Sequence, residues 1–115
     1  MFVSLRCART PCPVQTAIGI VGGKWKAGIL FRLQGGPMRL SELLRQMPWI
    51  SERVLIRQLK ELVDVGVVHR HDYRTVPPKV DYSLTDYGRT LGPILQAVGD
   101  WGQRHLDAGR PVLKD

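Results

Sequence analysis

The sequence predicts a mainly helical domain carrying one small β-hairpin, an α+β arrangement in which the hairpin comes late in the chain. Three observations carry this reading. Apolar residues recur at helical spacing in successive stretches up to Asp64, the period changes from about 3.6 to 2 immediately after Gly66, and a long helical repeat returns after Thr85. The chain has 115 residues, 43% hydrophobic and 23% charged. That length supports one core and burial of roughly 65% of the unfolded surface.

The elements follow in order. Met1 to Pro11 scatters Arg, Thr and Pro without a period, and residues 1–11 are expected to form a mobile arm. Pro13 suits the first turn of a short helix running to about Val21, with Val14, Ala17, Ile18 and Val21 on its buried side. Gly22-Gly23 stops it. A second helix runs from Lys24 to about Gln34, with Trp25, Ile29, Leu30 and Leu33 facing inward, and Gly35-Gly36-Pro37 ends it. Met38 to Leu40 is a short extended piece. Ser41 is expected to cap a third helix from Glu42 to Met47 that turns Leu43 and Leu44 inward.

After the turn Pro48-Trp49-Ile50 comes the most informative stretch, ISERVLIRQLKELVD. Ser51 is a good N-cap and Gly66 a good terminator. Leu55, Leu59 and Leu62 share one stripe, while Arg53, Arg57 and Lys60 repeat the same spacing about 200° away around the axis. One face wants a core. The other presents cations suited to phosphates or to the O6/N7 edge of guanine. Two short helices joined by a tight turn, the second with a hydroxyl cap and a basic face, form the helix-turn-helix pattern.

Val67 to Tyr73 and Val80 to Leu84 read as two strands around the loop Arg74 to Lys79, where Pro77-Pro78 cannot donate ladder bonds. A hairpin directly after a basic helix is a wing. Arg74 and Lys79 at its tip could enter a minor groove or meet phosphates. Thr85 caps a last helix from Asp86 to about Leu106, whose stripe of Leu91, Ile94, Leu95, Val98, Trp101 and Leu106 exceeds what a domain this size can cover. That surplus predicts a homodimer seam, together with packing on the first helix of the same chain. The domain is expected to span residues 12–107, with residues 108–115 as a tail.

The formal charge is +7. Lys24, Lys26, Arg32, Arg39 and Arg45 against Glu42 alone give residues 24–49 a charge of +4. Such a balance favours nucleic acid or another anionic surface as partner. With no apolar run near the ~18 residues needed to span a bilayer and no signal-peptide core, a cytoplasmic protein without a membrane partner is expected. Two cysteines in that setting point to thiols. No Gly-rich phosphate loop, Ser/His/Asp set or paired carboxylates stand out, so neither an enzyme nor a cofactor is expected. Cys7, Cys12, His69 and His71 make no recognised zinc spacing. Trp25, Trp49 and Trp101 could wall a pocket for a small-molecule effector, but their placement favours core or seam positions.

The run Cys12-Pro13-Val14, Gly22 to Trp25, Gly36-Pro37, Leu40 to Leu43, Ile50-Ser51, Leu55, Leu59 to Leu62, Gly66 to Val68, Val76 to Val80, Tyr82 to Thr85 and Gly88-Arg89 resembles the HxlR-type family of bacterial transcription regulators, within the MarR-like superfamily. The resemblance spans about residues 12–102 without gaps. It implies a winged helix-turn-helix protein that dimerises through terminal helices and binds operators as a repressor or an activator, some members responding to oxidants, electrophiles or aldehydes. It would make Ser51 to Lys60 the major-groove element and Arg74 to Lys79 the wing, with Cys12 at the sensing position of thiol-responsive members. Arg74-Thr75 stands where the family commonly has Pro-Glu, which implies a more phosphate-seeking wing.

The expected site residues are therefore Ser51, Glu52, Arg53, Ile56, Arg57 and Lys60 on the recognition helix, Arg74, Thr75 and Lys79 on the wing, and Arg39 and Ser41 against the DNA backbone. Cys12, with Arg6 and Arg9 nearby and a helix N-terminus behind it, is the candidate redox sensor, and Cys7 its candidate partner. The expected partner is double-stranded DNA read by a homodimer on an inverted repeat. The rival expectation is a winged-helix module whose basic face meets an acidic protein.

Overall fold

The computed structural model describes residues 11–113. The expected arm of residues 1–11, with Cys7 in it, lies outside the described residues except for Pro11. Helix α1, Pro13–Val21, starts after an extended Cys12 whose carbonyl accepts from both the Thr16 amide and the Thr16 hydroxyl at 2.9 Å. Of its predicted buried side only Val21 is buried; Val14, Ala17 and Ile18 are exposed. Its main packing partner is α2, Lys26–Leu33, and Ile20 and Val21 at its C-terminal end are the residues that join the core. Helix α2 begins two residues later than predicted because Gly23, at φ 80°, still belongs to the turn and Trp25 occupies the N-cap. Ile29, Leu30 and Leu33 are buried as expected.

Strand β1, Met38–Arg39, leads directly into α3, Leu40–Gln46. Ser41 is not its cap. Arg39 holds that position in extended conformation, and its amide donates to Glu42 Oε1 at 2.9 Å, so the helix starts two residues early, at Leu40, with Ser41 inside its first turn. Helix α4, Glu52–Asp64, is the helix with the two opposed faces. Strands β2, Val68–Asp72, and β3, Val80–Leu84, pair antiparallel from Val68↔Leu84 to Asp72↔Val80. The hairpin gains a third strand where the sequence suggests only an extended piece: β1 pairs β3 at Met38↔Tyr82 and Arg39↔Asp81, giving the order β1-β3-β2.

The core gathers Ile29 and Leu30 from α2, Leu43 from α3, Leu55, Leu59 and Leu62 from α4, and Val67, Val68, Tyr82 and Leu84 from the sheet and its approach. It is mostly aliphatic and contains no buried charge among the described residues.

The predicted continuous last helix is two. A single turn, α5 (Asp86–Arg89), is capped by Thr85, whose Oγ1 accepts from the Gly88 amide at 2.9 Å; the chain then breaks before α6 (Gly92–Asp107). Pro93 is the cause. In a continuous helix its ring would meet the carbonyl four residues back, at Arg89, and its missing N–H would leave that carbonyl unpaired. Near the start of a new helix the same ring is well accommodated. The predicted seam is divided between the core and the surface. Leu95 is buried in the protomer's own core and Leu91 packs against it, whereas Ile94, Val98, Trp101 and Leu106 remain exposed. Helix α6 packs on α2. Among the described residues no helix is long and apolar enough to cross a membrane.

Candidate nucleic-acid interface

The position of α4 is set from both ends and from below. At its start the Ser51 Oγ accepts from the Val54 amide at 3.2 Å, and Glu52 in the first turn complements the positive end of the helix dipole. At its end Gly66, at φ 86°, reverses the chain while the Gly66 and Val67 amides donate to the Val63 and Leu62 carbonyls at 3.0 and 3.2 Å. Leu55, Leu59 and Leu62 are fully buried, and they fix the rotation of the helix about its axis.

Arg53, Arg57 and Lys60 are consequently held outward and exposed. Neither Arg53 nor Arg57 makes a hydrogen bond or ion pair with another described residue. Lys60 Nζ lies 3.3 Å from Asp64 Oδ2, an exposed pair of the kind that contributes little and exchanges readily. Ile56 is also exposed, on the flank of α4 that faces the sheet.

An ion pair that no local pattern announces braces the opposite flank. Lys26 Nζ sits 2.6 Å from Glu61 Oε1, joining the start of α2 to the last turns of α4. The hydrogen bond from Lys26, and then its positive charge, hold the Glu61 carboxyl below its ordinary range. Lys26 is therefore committed to the fold. Arg39 Nε similarly lies 3.8 Å from Asp81 Oδ1, so the +4 counted for residues 24–49 overstates the charge free to meet a partner.

The wing tip is closed by the Tyr73 amide donating to the Lys79 carbonyl at 3.0 Å. Arg74 adopts φ 56° with its amide on Asp72 Oδ1 at 2.8 Å, which leaves its side chain exposed at the tip. Thr75 turns back on the Pro77 carbonyl at 2.8 Å. Lys79 differs from its predicted tip position: it is half-buried, with its ammonium 4.2 Å from the centre of the Tyr73 ring. The Tyr73 hydroxyl donates to Asp81 Oδ2 at 2.7 Å, and that bond raises the phenol's pKa above its usual value. Arg74 is thus the outstretched cation of the wing.

One junction joins helix and wing. The Thr85 amide donates to the Val67 carbonyl at 3.1 Å, and the Thr85 hydroxyl donates to the Gly66 carbonyl at 2.6 Å. Gly88 packs so closely over Val67 that a Cβ there would collide with the Val67 carbonyl oxygen. Only glycine fits.

The remaining predicted positions separate. Arg39 and Ser41 lie exposed at the start of α3. Cys12 is 7% exposed at the α1 N-cap, and Cys7 lies outside the described residues. The His69 and His71 rings are 6.0 Å apart on the outer sheet face, and no cluster of three metal-capable side chains occurs among the described residues. The three tryptophans do not share a core. Trp25 packs on it, Trp49 stands 67% exposed in the turn before α4, and Trp101 is 62% exposed with its ring stacked on His105.

Known proteins share this arrangement. The family model described as HxlR-like helix-turn-helix matches residues 20–110. The chain is 48% identical over 96 residues to the Bacillus subtilis protein named uncharacterized HTH-type transcriptional regulator YdeP, covering 84% of this chain and 75% of that one. An HTH-type transcriptional regulator of Methanothermobacter thermautotrophicus is 43% identical over 94 residues, covering 82% of this chain and 72% of its own. Among solved structures, the redox regulator HypR in its reduced form superposes with a TM-score of 0.81 at 44% identity, over 84% of this chain and 95% of that one. The reduced form of the transcriptional regulator YodB from B. subtilis gives 0.69 at 33%, over 81% and 92%. Matched in sequence and in fold across most of its length, this chain belongs to the HxlR-like helix-turn-helix family.

Proposed function

We propose that this chain is a cytoplasmic, sequence-specific DNA-binding transcriptional regulator, acting as a homodimer on an inverted-repeat operator through a domain spanning residues 12–107. The observation that carries the reading is the outward ridge of Arg53 and Arg57 on α4, rigidly backed by three buried leucines and with neither guanidinium in a hydrogen bond or ion pair with another described residue. Guanidinium groups held this way can pair with guanine edges or phosphates without first breaking an internal contact. Ser51, Glu52, Ile56 and Lys60 complete the helix surface, Arg74 reaches the flanking minor groove with Thr75 and Lys79 shaping the wing behind it, and Arg39 and Ser41 flank the backbone.

A second copy is supported by the exposed stripe of Ile94, Val98 and Trp101 on α6 and the exposed Val14 and Ile18 on α1, more apolar surface than a lone protomer covers. Two α4 helices would then enter successive major grooves about 34 Å apart. If the dimer neutralises about 6 to 10 phosphates, affinity falls about 10³ to 10⁵-fold between 50 and 200 mM salt.

Binding selection from a random duplex pool tests this. An inverted repeat should emerge, and Arg57→Ala should cost roughly 1 to 3 kcal/mol on it while leaving random DNA less affected. A pool that never enriches would turn the reading toward a protein-interaction module. Sensing through Cys12 belongs to the same function as an extension: oxidant should change operator binding through the dimer geometry, and Cys12→Ser should abolish that response.

A further inference from the structure

We propose that the groove between α4 and the wing sheet seats the DNA sugar-phosphate strand, with Arg70 as a phosphate-binding residue opposite Lys60. The register Arg70↔Tyr82 places Arg70 on the same sheet face as the buried Tyr82, the face turned toward α4. There Ile56, Lys60 and Val63 of α4 meet Arg70 and Tyr82 across an open groove of about 270 Å³. Its floor is apolar. Its rims are cationic, Lys60 on the helix side and Arg70 on the sheet side.

Arg70 is exposed and makes no hydrogen bond or ion pair with another described residue, so no internal contact accounts for its placement. Lys60 has only the exposed Asp64 pair to give up. An apolar floor between two cations matches the alternation of deoxyribose and phosphate along one strand. The position fits as well. Ile56 lies about 60 to 100° around the helix from Arg53 and Arg57, on the wing side. When α4 fills a major groove and the wing reaches the neighbouring minor groove, the strand between those grooves must cross this gap.

This inference rests on the proposed function, and it assigns Arg70 to positioning rather than to sequence readout. The test uses the full chain, the operator selected by the wild-type protein and a random duplex, each titrated with KCl. Arg70→Ala should lower the slope of log K against log[salt] by about 0.9 per protomer, close to 2 per dimer, with a similar fold-loss on both duplexes. Arg70→Lys should keep most of the slope. Replacing phosphates one at a time with methylphosphonate should find a position in each half-site whose neutralisation weakens the wild-type protein but not Arg70→Ala.

An unchanged slope in Arg70→Ala, with its urea midpoint at the wild-type value, would overturn the seat. So would a changed base preference in a repeated selection, which would make Arg70 a base reader. Wild-type protein that binds neither duplex would instead defeat the functional reading, and the seat with it.

Discussion

The Gly88 junction offers a test in which the magnitude comes from the structure. A Cβ built on Gly88 would strike the Val67 carbonyl oxygen and stand 2.9 Å from its carbon and 3.2 Å from the Val67 Cα. These are backbone atoms, so no side chain can swing aside. The same carbonyl accepts the Thr85 amide at 3.1 Å, and the Val67 amide is held by the Leu62 carbonyl at 3.2 Å, so relief must move the segment joining α4 to β2. Forcing one methyl into such a contact costs about 1 to 3 kcal/mol, and loss of the Thr85 bond adds about 0.5 to 1.5. Alanine's better helix propensity returns at most about 1 kcal/mol.

Gly88→Ala should therefore lower stability by about 1 to 3 kcal/mol, a drop in Tm of about 4 to 12 °C for a domain of this length. Gly99→Ala is the matched control. Gly99 sits within α6 with nothing inside 4 Å of the place a methyl would take, so the substitution should stabilise by about 0.5 to 1 kcal/mol. Both are read by urea unfolding at one fixed protein concentration, since assembly shifts apparent stability. If Gly88→Ala unfolds at the wild-type midpoint, the close approach of α5 to Val67 is wrong, and with it the account of how the wing is locked to α4.

Two further outcomes follow from the exposed surfaces. Trp101→Asp places a carboxylate in the exposed α6 stripe; sedimentation equilibrium should show the dimer dissociation constant raised by about 30-fold or more, with monomer helicity retained, and an unshifted dimer would remove α6 from the interface. The Glu61 carboxyl is held below its ordinary 4.5 by Lys26, so its contribution is present above the unfolded value and lost as pH falls through the folded one. The stability difference between wild type and Glu61→Gln should accordingly hold constant at neutral pH, decline as acid protonates the carboxylate, and shrink in high salt; a difference that acid and salt both leave unchanged would refute the pairing.

What could be read from the sequence was what neighbours within a turn or two decide. The cap at Ser51, the stop at Gly66, the cap at Thr85 and the division of α4 into leucine and arginine faces are local in origin, and all appear in the fold. The break at Pro93 was equally local, but the apolar repeat running across it obscured the proline. Periodicity determined which side chains share a face. It could not say what covers that face: Leu95 and Ile94 are adjacent in one repeat, yet one enters the protomer's core and the other stays exposed, because α2 reaches only one side of α6. The Lys26–Glu61 pair and the pairing of β1 with β3 each join segments far apart in the chain, and long-range packing alone brought them together.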